Sequence, residues 1–217
     1  DRIDPDFTAR LIEDDVHREK ILDFMAALDL KISNFRVESK PAQIPDAVRN
    51  MFNESKLKEL SEDIKDQKDY NVFTFHKNGE GVEVELSLHE ESDGTQAIFG
   101  LAGPIFDVLE NGNTLFIDEL SNSLHPLALK GLVAIFQDPL QNTKGAQLFF
   151  TSHETSIISK GFMHKDQIWF IDRPDGFSTE LRPMSDFNVR EVEAFQRSYL
   201  GGKFGALPNV RRLKNAG

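Results

Sequence analysis

The chain has 217 residues, 36 of them acidic and 25 basic, which gives a formal net charge of −11, and it contains no cysteine. The absent thiols exclude disulfides, zinc fingers, Fe–S clusters and thiol catalysis. The acidic balance excludes a bulk basic surface for nucleic acid, and no apolar run approaches the ~20 residues that span a bilayer.

Residues 9–29 place Leu11, Ile12, Val16, Ile21, Leu22, Met25 and Leu28 at helical spacing, which predicts one helix. Residues 30–39 alternate around Ile32, Phe35 and Val37 and predict a strand. Residues 44–70 are highly charged, with no apolar stripe after Met51 and Phe52; they read as an insertion, either an exposed helix or a mobile segment. A hairpin follows, its arms 71–77 and 82–88 joined by Asn78-Gly79-Glu80-Gly81, with one face of the second arm wet. Residues 93–110 predict a helix that Gly100, Gly103 and Pro104 should kink or break.

Thr114–Ile117 and Gln147–Phe150 are short runs, apolar after their first residue, that flank a predicted helix at 124–138. Short apolar strands alternating with helices argue for a buried parallel sheet. A short helix near 154–160, strands at 167–172 and 177–182 around Pro174-Asp175-Gly176, and a last helix capped by Ser185 or Asp186 and reaching about Leu200 complete the chain. Arg211, Arg212 and Lys214 read as a solvated tail. The 18 Phe residues, against two Tyr and one Trp, read mostly as core filler. The organisation is thus a helical and hairpin segment over 1–88 followed by an α/β lobe over 89–217.

Three places carry chemistry. The run Thr114–Ile117 ends in Asp118-Glu119, two adjacent carboxylates at the carboxyl end of a strand, where open α/β sheets bind ligands. One acid there can hold Mg²⁺ through water while its neighbour orients or deprotonates an attacking water. The run Phe149-Phe150 ends in Thr151-Ser152-His153, and an imidazole at such an edge can contact a terminal phosphate; alone, it reads as a surface histidine. Ser92-Asp93-Gly94-Thr95 opens the helix predicted over 93–110 and offers a hydroxyl, bare amides and the positive end of a dipole to an anion; alone, it reads as an ordinary N-cap.

The order of these signals, with Asn122-Ser123-Leu124-His125-Pro126 between them, resembles an ABC-type, SMC-like ATPase head. Glu91–Thr95 resembles the signature motif, Asp118 and Glu119 the Walker B acid and catalytic glutamate, Asn122–Pro126 the D-loop, and His153 the switch histidine. The stretches TLFIDELSNSLHPLAL, GAQLFFTSHETSII, KDQIWFIDR and SYLGGKFGALPNV are similar to AAA-type phage-defence ATPases of the abortive-infection, Septu and retron-associated group, over nearly the whole chain. The departure is that G-x-x-x-x-G-K-[ST] occurs nowhere, and Gly201-Gly202-Lys203-Phe204 lacks both its spacing and its hydroxyl. With no initiating Met, the chain reads as the C-terminal lobe of a P-loop NTPase head whose phosphate loop lies upstream.

The resemblance implies a cytoplasmic, Mg²⁺-dependent ATPase of an antiviral system. Two heads would sandwich ATP as a homodimer or higher oligomer. In that arrangement Asp118 serves the metal, Glu119 and His153 serve hydrolysis, and Ser92, Asp93, Gly94, Thr95, Asn122, Ser123 and His125 line the nucleotide interface. It also implies a separate effector, a nuclease or toxin, leaves any nucleic-acid contact to the assembled complex, and expects no membrane. The competing classes are a DNA-repair ATPase of the SMC/RecN type, which a long heptad arm would favour, and an interaction module with no phosphate loop; no such arm is present.

Overall fold

The computed structural model describes residues 4–44, 46–65, 67–158, 162–172 and 178–187, together with 199 and 201. The chain forms two compact units, residues 1–151 and 152–217. The helical and hairpin segment and the first part of the α/β lobe therefore share the first unit.

The single helix expected over 9–29 is two helices, α1 (Asp6–Leu11) and α2 (Asp15–Ala27). Asp14 divides them. Its carboxylate accepts from the His17 amide at 3.0 Å, which caps α2 and turns the backbone out of α1. Ile12 in the connection is fully buried, so the turn still serves the core.

β1 (Asn34–Pro41), β2 (Lys68–Lys77) and β3 (Glu83–Ser87) form an antiparallel meander in that order. The charged segment between β1 and β2 carries α3 (Asp46–Arg49) and the solvent-facing α4 (Glu54–Asp63), which resolves the expected insertion in favour of exposed helix. The hairpin turn is the expected one: the Asn78 side chain accepts from the Glu80 and Val82 amides, and Gly81 takes φ +79°.

The centre of the unit is α5 (Asp93–Asn111), which buries Ile98, Phe99, Leu101, Ala102 and Ile105. Phe99 meets Phe35 of β1 with ring centroids 5.3 Å apart, and Phe106 meets Phe24 of α2 at 5.7 Å. The break expected at Pro104 does not occur. Proline has no N–H, so the Gly100 carbonyl loses its donor inside the helix. Thr8 of α1, fully buried, donates its hydroxyl to that carbonyl at 3.3 Å and accepts from the Gly103 amide at 2.9 Å. A Cβ on Gly103 would lie 2.6 Å from the Thr8 hydroxyl, so the glycine is what lets α1 approach. Gly112, at φ +70°, ends α5 in the left-handed conformation.

β4 (Thr114–Ile117) and β5 (Gln147–Phe150) pair in parallel with Thr114 opposite Gln147, and α6 (Pro126–Gln137) connects them. The parallel pairing was expected; the burial was not realised. Phe116 is 74% exposed and stacks on Phe149, 53% exposed, because one face of this two-stranded sheet has no helix over it among the described residues. The other face meets α5 and α6.

In the second unit the short helix expected near 154–160 is a 3-10 turn, Thr155–Ile157. β6 (Trp169–Asp172) and β7 (Glu180–Pro183) pair antiparallel over a small core of Phe170 and Met184, with Ile158, Ile168, Phe187 and Tyr199 against it. Pro174-Asp175-Gly176, most of the last predicted helix, Arg211, Arg212, Lys214 and nearly all of the SYLGGKFGALPNV stretch lie outside the described residues. The described residues where that last helix was expected to be capped form a 3-10 turn, Met184–Asp186. Among the described residues no helix is long and apolar enough to cross a membrane.

Candidate functional site

The acidic turn is built by the end of the β4–β5 ladder. Thr151 follows β5 and bonds the turn four ways. Its amide donates to the Ile117 carbonyl at 3.1 Å, and its carbonyl accepts from the Leu120 amide at 3.0 Å. Between those two anchors the chain arches outward and carries Asp118 and Glu119 to the surface, both exposed. The Thr151 hydroxyl accepts from the Glu119 amide at 2.7 Å and donates its single proton to Asp118 Oδ1 at 2.5 Å. One side chain thus fixes the backbone of one acid and the carboxylate of the other. Sequence reasoning quoted Thr151 without giving it a role; the signal was a hydroxyl at the carboxyl end of the neighbouring parallel strand.

The turn also holds strained backbone. Glu119 sits at φ +52° and Ser123 at φ +60°, conformations that cost a side-chain-bearing residue roughly 1–2 kcal/mol each. Such strain persists only where surrounding bonds enforce it. Here the enforcing bonds are those of Thr151, plus Asn122, whose side-chain amide donates to Glu119 Oε2 at 2.6 Å and whose backbone amide returns to the Glu119 carbonyl at 2.9 Å.

The helix start at Ser92 lies against this turn. A Cβ on Gly94 would come within 2.9 Å of the Ser123 carbonyl oxygen, so only glycine permits the approach. Ser92 is the N-cap of α5: its hydroxyl accepts from the Thr95 amide at 3.1 Å and pairs with the Thr95 hydroxyl at 2.8 Å. With Thr95 as donor in that pair, both lone pairs of Ser92 Oγ are filled and its own proton is directed elsewhere. Asp93 and Gly94 lie in the first turn of α5, where the helix offers their amides no acceptor of its own.

His125 caps α6. Its Nδ1 accepts from the Leu127 amide at 3.2 Å, so the ring proton sits on Nε2, and Pro126 occupies the first helical position. His153 is an exposed residue of the second unit, just after Ser152. The structure therefore brings Ser92, Gly94, Thr95, Asp118, Glu119, Asn122 and Ser123 onto one rim of the first unit. Glu91 immediately precedes that rim.

The donor chemistry fits magnesium bound together with a phosphate. Among the described residues no three of His, Asp or Glu gather into a protein cage for a metal. Mg²⁺ needs no such cage, since one or two carboxylates, water and phosphate oxygens suffice.

A family model described as "AAA domain, putative AbiEii toxin, Type IV TA system" matches residues 8–159. The match spans α1 to the first residues of the second unit and contains the entire rim. A comparison with curated proteins returns no match.

Proposed function

We propose a nucleotide-dependent role from one premise: the chain belongs to that AAA-domain family. The role is ATP hydrolysis between paired heads in a phage-defence or toxin–antitoxin system, with the hydrolytic state controlling a separate effector.

The observation that carries the reading is the acidic turn itself. Thr151 and Asn122 hold two exposed carboxylates at the carboxyl end of a parallel strand, in backbone that is strained and fixed by six hydrogen bonds. Asp118 is suited to the water shell of Mg²⁺, because Thr151 occupies one of its oxygens and leaves the other for that shell. Glu119 orients the attacking water and takes its proton, and Asn122 keeps its carboxylate aimed. Magnesium, when bound with the phosphates, neutralises the charge that develops on them.

Ser92, Asp93, Gly94 and Thr95 face the terminal phosphate of a nucleotide held by a second head, through first-turn amides and the Ser92 proton. The contact between Gly94 and Ser123 supports coupling of that closing step to the acidic turn, because moving one displaces the other. The sequence order assigns His153 a phosphate contact and His125 a place in the interface loop. No counterpart of a phosphate-cradling loop occurs among the described residues.

The test is Glu119→Gln in the complete native protein. ATP binding and nucleotide-dependent association persist, while hydrolysis falls by roughly 10²–10³. Unchanged hydrolysis removes Glu119 from the mechanism and the reading with it.

A further inference from the structure

One carboxylate at the rim plays no part in the chemistry above. Glu91 directly precedes the Ser92 cap, and its side chain is only 9% exposed. Its Oε1 accepts from the Thr74 hydroxyl at 2.5 Å and from His76 Nε2 at 2.6 Å. A carboxylate only accepts, so Nε2 carries the ring proton. Thr74, fully buried, has another acceptor in the Leu86 carbonyl at 3.4 Å, but the shorter contact to a charged oxygen takes its single proton.

The main chain of Glu91 is held as well. Its carbonyl accepts from the Gln96 side chain at 2.7 Å, and its amide donates to the Leu88 carbonyl at 3.2 Å. Thr74 and His76 lie two residues apart on β2 and share a face of the sheet. β2 is the central strand of the meander, with Thr74 paired to Phe35 on one side and Leu86 on the other. The turn is therefore referenced to the central strand of the meander as well as to its own loop.

We propose that Glu91 is a positioning residue for the Ser92–Thr95 turn, clamping it to β2 through Thr74 and His76 so that its amides are preset for an anion. Glu91 does not touch the nucleotide. Its influence on ATP rests on the paired-head reading above; its influence on the turn does not.

Two measurements separate these. The first is hydrogen exchange at the Thr95 and Gln96 amides, both held by Ser92, against those of Asn71 and Phe73 in the β1–β2 ladder. The second is steady-state ATP hydrolysis by the complete native protein. In Glu91→Leu, exchange at the turn rises about tenfold while the ladder is unchanged, and KM for ATP rises about tenfold with kcat within about twofold, as expected for loss of ~1.4 kcal/mol of preorganisation. Glu91→Gln, whose amide oxygen still accepts from both donors, returns both readouts to within about threefold of wild type. Should Glu91→Leu not fold, His76→Leu, at a side chain 31% exposed, gives the same two readouts at about threefold.

Wild-type exchange at the turn in folded Glu91→Leu overturns the proposal. So does a Gln variant no better than Leu, or a ladder that loosens together with the turn. If exchange responds but the wild-type protein hydrolyses no ATP, the positioning stands and the nucleotide reading is what fails.

Discussion

Thr8→Val isolates the bond that carries α5 through its proline. Valine matches threonine in shape, so packing against Gly103 is kept and only the hydroxyl is lost. One buried backbone group is then left without a donor, the Gly100 carbonyl, which Pro104 cannot serve; the Gly103 amide still has the Phe99 carbonyl four residues back in α5. An unsatisfied buried polar group costs about 1–3 kcal/mol. For a chain of this size each kcal/mol moves the melting point by about 2–4 °C, which predicts a fall of about 3–10 °C. Thermal unfolding followed by circular dichroism reads this directly. Thr8→Ser is the control: it keeps the hydroxyl, loses one methyl, and should cost only about 1 kcal/mol. If Thr8→Val melts within about 2 °C of wild type, or if Ser is worse than Val, the hydroxyl is not what sustains the helix and the reasoning fails.

Gly94→Ala adds a Cβ 2.9 Å from the Ser123 carbonyl; the clash should outweigh the gain in helix propensity, so denaturant unfolding should show a net loss of about 1–2 kcal/mol, whereas a gain would mean the two turns are not in contact. Thr151→Val should raise the Mg²⁺ concentration needed for half-maximal ATP hydrolysis by about 10–100-fold, with Thr151→Ser close to wild type; a magnesium titration that does not separate the two variants removes Thr151 from the site. Lys20 of α2 pairs with Glu110 near the end of α5 and, with a smaller contribution from His17, holds the Glu110 carboxyl below its ordinary value. A depressed carboxyl contributes stability above the unfolded-state value of 4.5 and loses it as pH falls through the folded-state value. Both partners are more than a third exposed, so Lys20→Met should cost less than ~1 kcal/mol at neutral pH, and the difference should vanish in acid and in ~1 M salt; urea unfolding at both pH values and both salt levels checks it.

The parts legible in the sequence were those fixed by local rules. The Asn78–Gly81 turn and the Ser92 cap need only neighbours in sequence, and the two short apolar strands with the acidic pair after the first are marked by residue type before any long-range contact forms. The failures have different causes. Pro104 signals a kink or break because the rule for proline is local, and the hydroxyl that serves the Gly100 carbonyl lies 92 residues upstream of it. Apolar spacing over 9–29 outvoted Asp14, although an aspartate three residues before a backbone amide it can cap is a helix-start signal in its own right. Phe116 and Phe149 read as core because their side chains prefer burial, but preference does not supply a covering layer.

The same division runs through the rim. Asp118, Glu119, Ser92 and Gly94 announce themselves by type and spacing. What holds them does not: Thr151 reaches the acids across a strand pair, Ser123 meets Gly94 through a carbonyl that every residue possesses, and Glu91 depends on Thr74 and His76 of a separate sheet. Groups that perform chemistry need a distinctive side chain, and sequence displays it. Groups that position them need only a hydroxyl, a carbonyl or the absence of a Cβ in the right place, and only the fold reveals which of the many such groups is used. Substituting the second set while leaving the first untouched is therefore the sharpest way to ask whether this rim is a working site, since a merely decorative acidic turn would not respond to the loss of Thr151's hydroxyl.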